Sequence, residues 1–204
     1  MSSRDARVLL VACGAISHEV VALLKRHGWS HLAVQCLPAD LHNRPEKIPE
    51  AVRAKVRAGR ERFAQIFVAY ADCGTGGLLD EVCREEGVER IPGAHCYEFF
   101  AGAEAFAALA EEEVGTLYLT DFLARHFQRL MIHGLGIDRH PELESMYFGN
   151  YRRLVYLSQV EDAGLLAMAR AAAARLGLEF EHRHTGYGEL EPVLVRFEAR
   201  TRAG

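Results

Sequence analysis

Between residues 65 and 77 the chain reads QIFVAYADCGTGG, an apolar, β-branched and aromatic run that stops at Asp72-Cys73 and gives way to four positions of glycine and threonine. A run of this kind is a buried strand, and its abrupt end marks a loop. In open α/β sheets ligands sit in the crevice beyond the carboxyl ends of the strands, so Asp72 and Cys73 are expected at the mouth of a site. Gly74, Thr75, Gly76 and Gly77 would let a ligand approach backbone N–H groups where the next helix, LLDEVCREEG, begins. The chain uses the device again: RVLLVACGA puts Cys13 at the end of an earlier strand, and VERIPGAHCYE puts Cys96 just beyond a later one.

Around that stretch the pattern alternates strand and helix. Residues 7–12 read as a strand, 16–27 as a helix closed by Gly28, and 31–37 as a second strand stopped by Pro38. A polar loop with three prolines follows, then an amphipathic helix over 50–63 whose basic residues form a solvated face. After the 65–77 stretch come a helix ending at Gly87 and a short strand over 88–91. The second half repeats the rhythm: a helix over 101–113, a strand over 117–120 tipped by Asp121, a helix over 122–136, and a strand over 153–159. An alanine-rich helix over 162–176 closed by Gly177, a strand over 179–184 and a last helix complete it. Successive βα units predict an α/β fold, a doubly wound and mostly parallel sheet of about seven strands with helices on both faces. The expected organisation is one domain over residues 1–204, with two lobes, 1–102 and 115–204, sharing a crevice as the alternative.

Composition narrows the function. A formal net charge of −4 provides no basic stripe for phosphate-backbone binding, so nucleic acid is not an expected partner. No run reaches the roughly 18 apolar residues of a membrane span, and the chain is expected to be cytoplasmic. Neither ACGAISHE nor DCGTGGLL matches the dinucleotide fingerprint, and no Walker-type G-K-S/T is present, which leaves nicotinamide cofactors and ATP hydrolysis without support. Five cysteines, an odd number, argue against a disulfide framework.

The thiols divide into two sets. Cys36 inside a strand and Cys83 inside a helix read as buried packing residues. Cys13, Cys73 and Cys96 follow apolar strands, so parallel strands could aim all three at one crevice, although no CxxC pair is present. Three thiolates with one open position suit an iron–sulfur cluster or a zinc ion, and His42 is the candidate fourth ligand. His95 and Glu98 beside Cys96, Asp72 beside Cys73, and Asp121 are the candidate acid/base groups. For Asp121 a helix-capping role competes with chemistry. Gly186 and Tyr187, in TGYGELE before the last helix, could offer backbone N–H groups to an anion, and a simple turn explains them nearly as well.

The segments ADCGTGG, GAHCYEFFAG, LTDFLARHF, YFGNYRRLVYLSQ and TGYGELE together resemble an uncharacterised family of prokaryotic proteins found in methanogens and anaerobic bacteria. Some members are encoded near corrinoid-dependent methylamine-type methyltransferases. The resemblance implies a setting of one-carbon, cobalt and anaerobic metal chemistry, with a methyltransferase or corrinoid protein as partner. The expected function is a metal-dependent enzyme acting on a small-molecule substrate. The competing class is a metal- or ligand-binding accessory protein without turnover, and the two separate on whether acid/base groups stand beside the metal.

Overall fold

The structure, a computed structural model, describes residues 8–203. In the first half, β1 (Val8–Cys13), α1 (Ser17–Arg26), β2 (Leu32–Leu37), α2 (Ile48–Gly59), β3 (Gln65–Ala69), α3 (Leu78–Glu85) and β4 (Glu89–Arg90) follow in turn. The predicted first residue of β1, Arg7, lies outside the described residues. The expected helix over 101–113 is α5 (Ala103–Glu112), and a short helix that was not expected, α4 (Cys96–Ala101), precedes it; Gly102, with φ of 84°, separates the two. After β5 (Thr116–Leu119), the expected helix over 122–136 is a short α6 (Asp121–Arg125) followed by a π-helical turn, Gln128–His133. Then come α7 (Leu143–Phe148), β6 (Arg153–Ser158), α8 (Ala163–Leu176), β7 (Glu179–His184) and α9 (Leu190–Ala203).

The seven strands all pair in parallel, but they form two sheets and not one: β2-β1-β3-β4 and β5-β6-β7. Contacts divide the chain correspondingly into two compact units. Unit 1 runs through Cys96 and takes in α9; unit 2 is Tyr97–Glu189. Among the described residues no helix is long and apolar enough to cross a membrane.

Within unit 1, β1 is buried along Val8 to Ala12, as a strand covered on both faces must be. Its odd-numbered side chains Leu9 and Val11 join Ile66, Val68 and Tyr70 from β3 and its extension on the face covered by α2 and α3. That core is completed by Ile48, Val52 and Val56 of α2 and by Leu79, Val82 and Cys83 of α3. The apolar spacing of α2, at four-residue steps, is what directs it there.

In unit 2, β6 is the central strand and is buried from Leu154 to Ser158, while β7 is an edge strand with most side chains exposed or half-exposed. On one face Val155 and Leu157 pack with Leu109 of α5. The helix α8 starts where the Asp162 carboxylate accepts the N–H groups of Gly164 and Leu165 at 2.8 and 3.0 Å, and stops at Gly177 in the left-handed region.

Candidate functional site

The order β2-β1-β3-β4 reverses direction between β1 and β3, and such a reversal is where open α/β sheets place their ligands. Cys13 ends β1, and Ala12 stands opposite Ala69, so Cys13 and Tyr70 are the next positions along neighbouring strands. Cys73, in the loop beyond β3, lies close enough to Cys13 for the two thiols to interact electrostatically. The Cys13 sulfur accepts the Ala15 N–H at 3.4 Å and so caps the 3-10 turn after β1. Gly14 within that turn is obligatory by space, since a Cβ there would lie 2.8 Å from the Leu37 carbonyl oxygen.

Beyond β3 the backbone keeps pairing: Asp72 N–H donates to Gly93 O at 3.0 Å and Cys73 N–H to Ala94 O at 2.7 Å, which ties the glycine loop to the loop before Cys96. Cys73 has φ of +53°, the one non-glycine residue with positive φ among the described residues. That conformation costs an L-residue roughly 1–2 kcal/mol, and strain of this kind collects at functional sites. It turns the Cys73 sulfur to accept the backbone N–H of Cys96. Cys96 is thus close to Cys73, but as the first residue of α4 and not as a strand tip.

The electrostatics follow from burial. Burial pushes the Cys73 thiol up to about 12, and the adjacent Cys13 adds to the effect. Cys13 is also raised by burial, against the Ala15 N–H and the Tyr70 hydroxyl, which favour its thiolate. The Tyr70 hydroxyl is buried without a hydrogen-bond partner of ordinary geometry, and burial, Cys13 and Cys73, in that order, hold its proton on. His42, half-buried in the 3-10 turn after β2, is lowered by burial and by His95, so the two imidazoles face the same neighbourhood and His42 is kept neutral. Among the described residues, no three His, Cys, Asp or Glu side chains are already gathered as metal ligands.

The glycine loop has its own anion. Asp72 Oδ1 accepts the Thr75 hydroxyl at 2.5 Å and the Gly77 N–H at 3.0 Å, and Oδ2 accepts the Gly76 N–H at 3.1 Å. Burial alone would raise Asp72, but these donors and the Arg90 guanidinium hold it below its ordinary value. The N–H groups of Gly76 and Gly77, expected to face a ligand, thus cradle Asp72 instead, and Asp72 itself shapes the loop. His95 is exposed in the loop before α4, and Glu98 is half-buried in the first turn of that helix.

Cys83 is buried in the core, its thiol pushed up to about 11 by burial, as expected of a packing residue. Cys36 differs from expectation: it is exposed, on β2, the edge strand of its sheet. A cavity of about 240 Å³ in unit 1, lined by Phe63, Gln65, Val88 and Phe197 among others, opens at the opposite, N-terminal end of β3.

Asp121 belongs to unit 2 and is buried there. Thr120, not Asp121, caps α6, its hydroxyl accepting the Leu123 N–H at 3.4 Å. The Asp121 carboxylate accepts the Tyr156 hydroxyl at 2.6 Å and the Val160 N–H at 2.9 Å, and so fastens the tip of β5 to that of β6. In the TGYG turn, the N–H groups of Thr185 and Gly186 donate to Ser158 O at 2.9 and 3.2 Å and that of Glu189 to Phe99 O at 2.6 Å, which commits them to carbonyls. Tyr187 is half-buried. A cavity of about 360 Å³ lies beside this turn, lined by Ala105, Leu109, Leu157, Arg183 and Thr185 among others. Sequence reasoning missed Tyr70, read only as part of an apolar run, and the trio Ser158, His182 and His184; the His-x-His spacing on a predicted strand was the available signal for the last.

Residues 36–194 match the family model described as "Protein of unknown function (DUF1638)". The chain belongs to that family. The DUF1638 segment begins at Cys36 in β2 and ends within α9, so it includes Cys73 and Cys96 and leaves Cys13 outside. No curated protein matches the chain at a significant level. Among solved structures, ornithine carbamoyltransferase from Pyrococcus furiosus is similar at 14% identity and a TM-score of 0.30, over 89% of this chain and 55% of that one. The chain spans little more than half the length of that structure, and a likeness of this size carries no argument about activity.

Proposed function

We propose that unit 1 of this DUF1638 protein holds a soft metal centre at the β1/β3 reversal, with Cys13, Cys73 and Cys96 as thiolate ligands and His42 as the fourth donor. The observation that carries the reading is the closeness of Cys13, at the end of β1, to Cys73, in the loop beyond β3, in a buried setting that favours neutral thiols in the absence of a cation. A soft cation reverses that preference, because each sulfur exchanges its proton for a bond to the ion. His42, held neutral, has the bare nitrogen that ligation requires. Closing the set takes side-chain rotation at Cys96 and His42, both near the protein surface. Zinc and an iron–sulfur cluster both suit this donor set.

The centre acts on a small molecule, with His95 and Glu98 next to Cys96 as the acid/base groups. In the accessory reading, the same centre serves a corrinoid-dependent methyltransferase without turnover, and His95 and Glu98 are then dispensable. Purification without oxygen, followed by elemental analysis and an absorption spectrum, is the test. Iron with acid-labile sulfide and broad absorbance near 400 nm identifies a cluster, and stoichiometric zinc in colourless protein identifies a mononuclear site. Ser replacements at 13, 73 and 96 should each remove the metal, and those at 36 and 83 should not. Metal retained after Cys73→Ser sinks the proposal.

A further inference from the structure

His182 and His184 are two residues apart on β7, so both side chains leave the same face of an edge strand, and both are exposed. Their nitrogens converge on one point: His182 Nε2 lies 2.9 Å and His184 Nδ1 3.0 Å from Ser158 Oγ on the neighbouring strand. The serine hydroxyl has a single proton, so at most one of these nitrogens accepts from it. The rings are oriented from beneath. Tyr156 stacks on His182 with centroids 5.2 Å apart and planes 20° apart, and its hydroxyl is fixed on the buried Asp121 carboxylate at 2.6 Å. The flanking Glu181 and the intervening Arg183 alternate onto the opposite face, where they pair with each other at 2.5 Å and Glu181 with Arg153 at 3.1 Å. No carboxylate of β7 therefore joins the two imidazoles.

We propose that His182 and His184 are a bidentate imidazole chelate for a divalent first-row transition ion. Imidazole nitrogen suits nickel, copper and zinc, and the convergent pair supplies the first two donors. Each ring binds through the nitrogen that now faces Ser158 and keeps its proton on the other, while the serine hydroxyl turns a lone pair toward the ion and water takes the remaining positions. The donor set is neutral and free of sulfur, which separates it chemically from the thiol centre of unit 1 and makes the two proposals independent.

The test is a titration of the full-length protein with Ni(II), followed through the imidazole 1H–15N resonances. The expected result is that, among the histidines outside the thiol centre, His182 and His184 respond together and at the lowest Ni(II) concentration. Either His182→Asn or His184→Asn weakens that event about a hundredfold, the usual scale for losing one arm of a two-point contact. Ni(II) should also bind more tightly than Co(II) or Mn(II). Any ion on the thiols announces itself by thiolate charge-transfer absorbance, which counts it apart from the event at the two histidines. Because both histidines are exposed, the variants should keep the far-ultraviolet spectrum of the parent. The proposal is overturned if His18, His133 and His140 respond over the same concentration range, or if the double variant binds Ni(II) as the parent does.

Discussion

At the carboxyl ends of β1 and β3 the chain collects thiols and a phenol, while at the ends of β5, β6 and β7 it collects a carboxylate, a phenol, a hydroxyl and two imidazoles. The two regions share a plan, parallel strands tipped by polar groups, yet they treat those groups differently. In unit 2 they satisfy one another: Asp121 takes Tyr156 and Val160, and Ser158 takes both histidines. In unit 1, Tyr70 has no ordinary hydrogen-bond partner, Cys73 sits in a strained conformation, and burial holds both thiols protonated. A set of groups closed on itself stabilises the fold, whereas a strained and unsatisfied one stores readiness for a ligand. On that contrast rest the proposals made above, a reactive centre in unit 1 and a surface site in unit 2.

Five experiments probe that contrast, and the single tryptophan helps, because Trp29 reports unit 1 by fluorescence while amide exchange reads each unit separately. The largest effect is expected at Gly188, where φ is +47° and a Cβ would lie 2.3 Å from the carbonyl oxygens of Phe99 and Phe100. Gly188→Ala should destabilise unit 2 by about 4 kcal/mol, seen as lost amide protection there; a loss below about 1 kcal/mol would mean the turn is loosely held.

Next are two carboxylates just beyond strand ends, Asp121 and Asp72. Asp121→Ala leaves the Tyr156 hydroxyl buried without its partner, frees the half-buried Val160 N–H and should cost about 3 kcal/mol. Asp72→Ala removes bonds from a half-exposed loop and should cost about 1 kcal/mol by denaturant titration. Equal costs would break the distinction between a closed and an open set.

The third test is pH, and the sign differs at the two extremes. Cys73 is raised when folded, so in metal-free protein its contribution is full below the ordinary thiol range near 9 and is lost as pH climbs toward about 12. Asp72 is lowered when folded, so its contribution is present above the ordinary carboxylate range near 4 and is lost as pH falls through its depressed value. Trp29 fluorescence in denaturant should show unit 1 weakening toward both extremes. The same shift predicts thiol reactivity: at pH 8 iodoacetamide should label exposed Cys36 well ahead of Cys13 and Cys73, and equal labelling would contradict the buried setting of the pair. The smallest effect is Tyr156→Phe, a loss of about 1 kcal/mol in unit 2, with His182 freed from its fixed orientation in ring-nitrogen spectra.

Much of the fold was legible in the chain. The apolar run 65–70, the stops at Gly28, Gly87 and Gly177, and the alanine-rich stretch capped by Asp162 correspond to β3, the ends of α1 and α3, and α8, because turn chemistry, capping and burial periodicity are local. The start of α5 just after Gly102 was also within reach, since glycine in a helix is a weak point. The failure at Cys36 had a different source: a strand looks the same in sequence whether a helix covers both its faces or it stands at an edge.

By itself the amino-acid sequence determined the α/β class, the seven strands and the thiols at or near strand ends, since each rests on residues within about ten positions of one another. Only the tertiary structure decided that the strands divide into sheets of four and three, that β1 lies beside β3 so that Cys13 and Cys73 come close, and that Ser158 of β6 stands between two imidazoles of β7. Period-two alternation says which face a side chain takes, but the neighbour across the ladder is chosen by long-range packing, and that choice leaves no mark in any one segment.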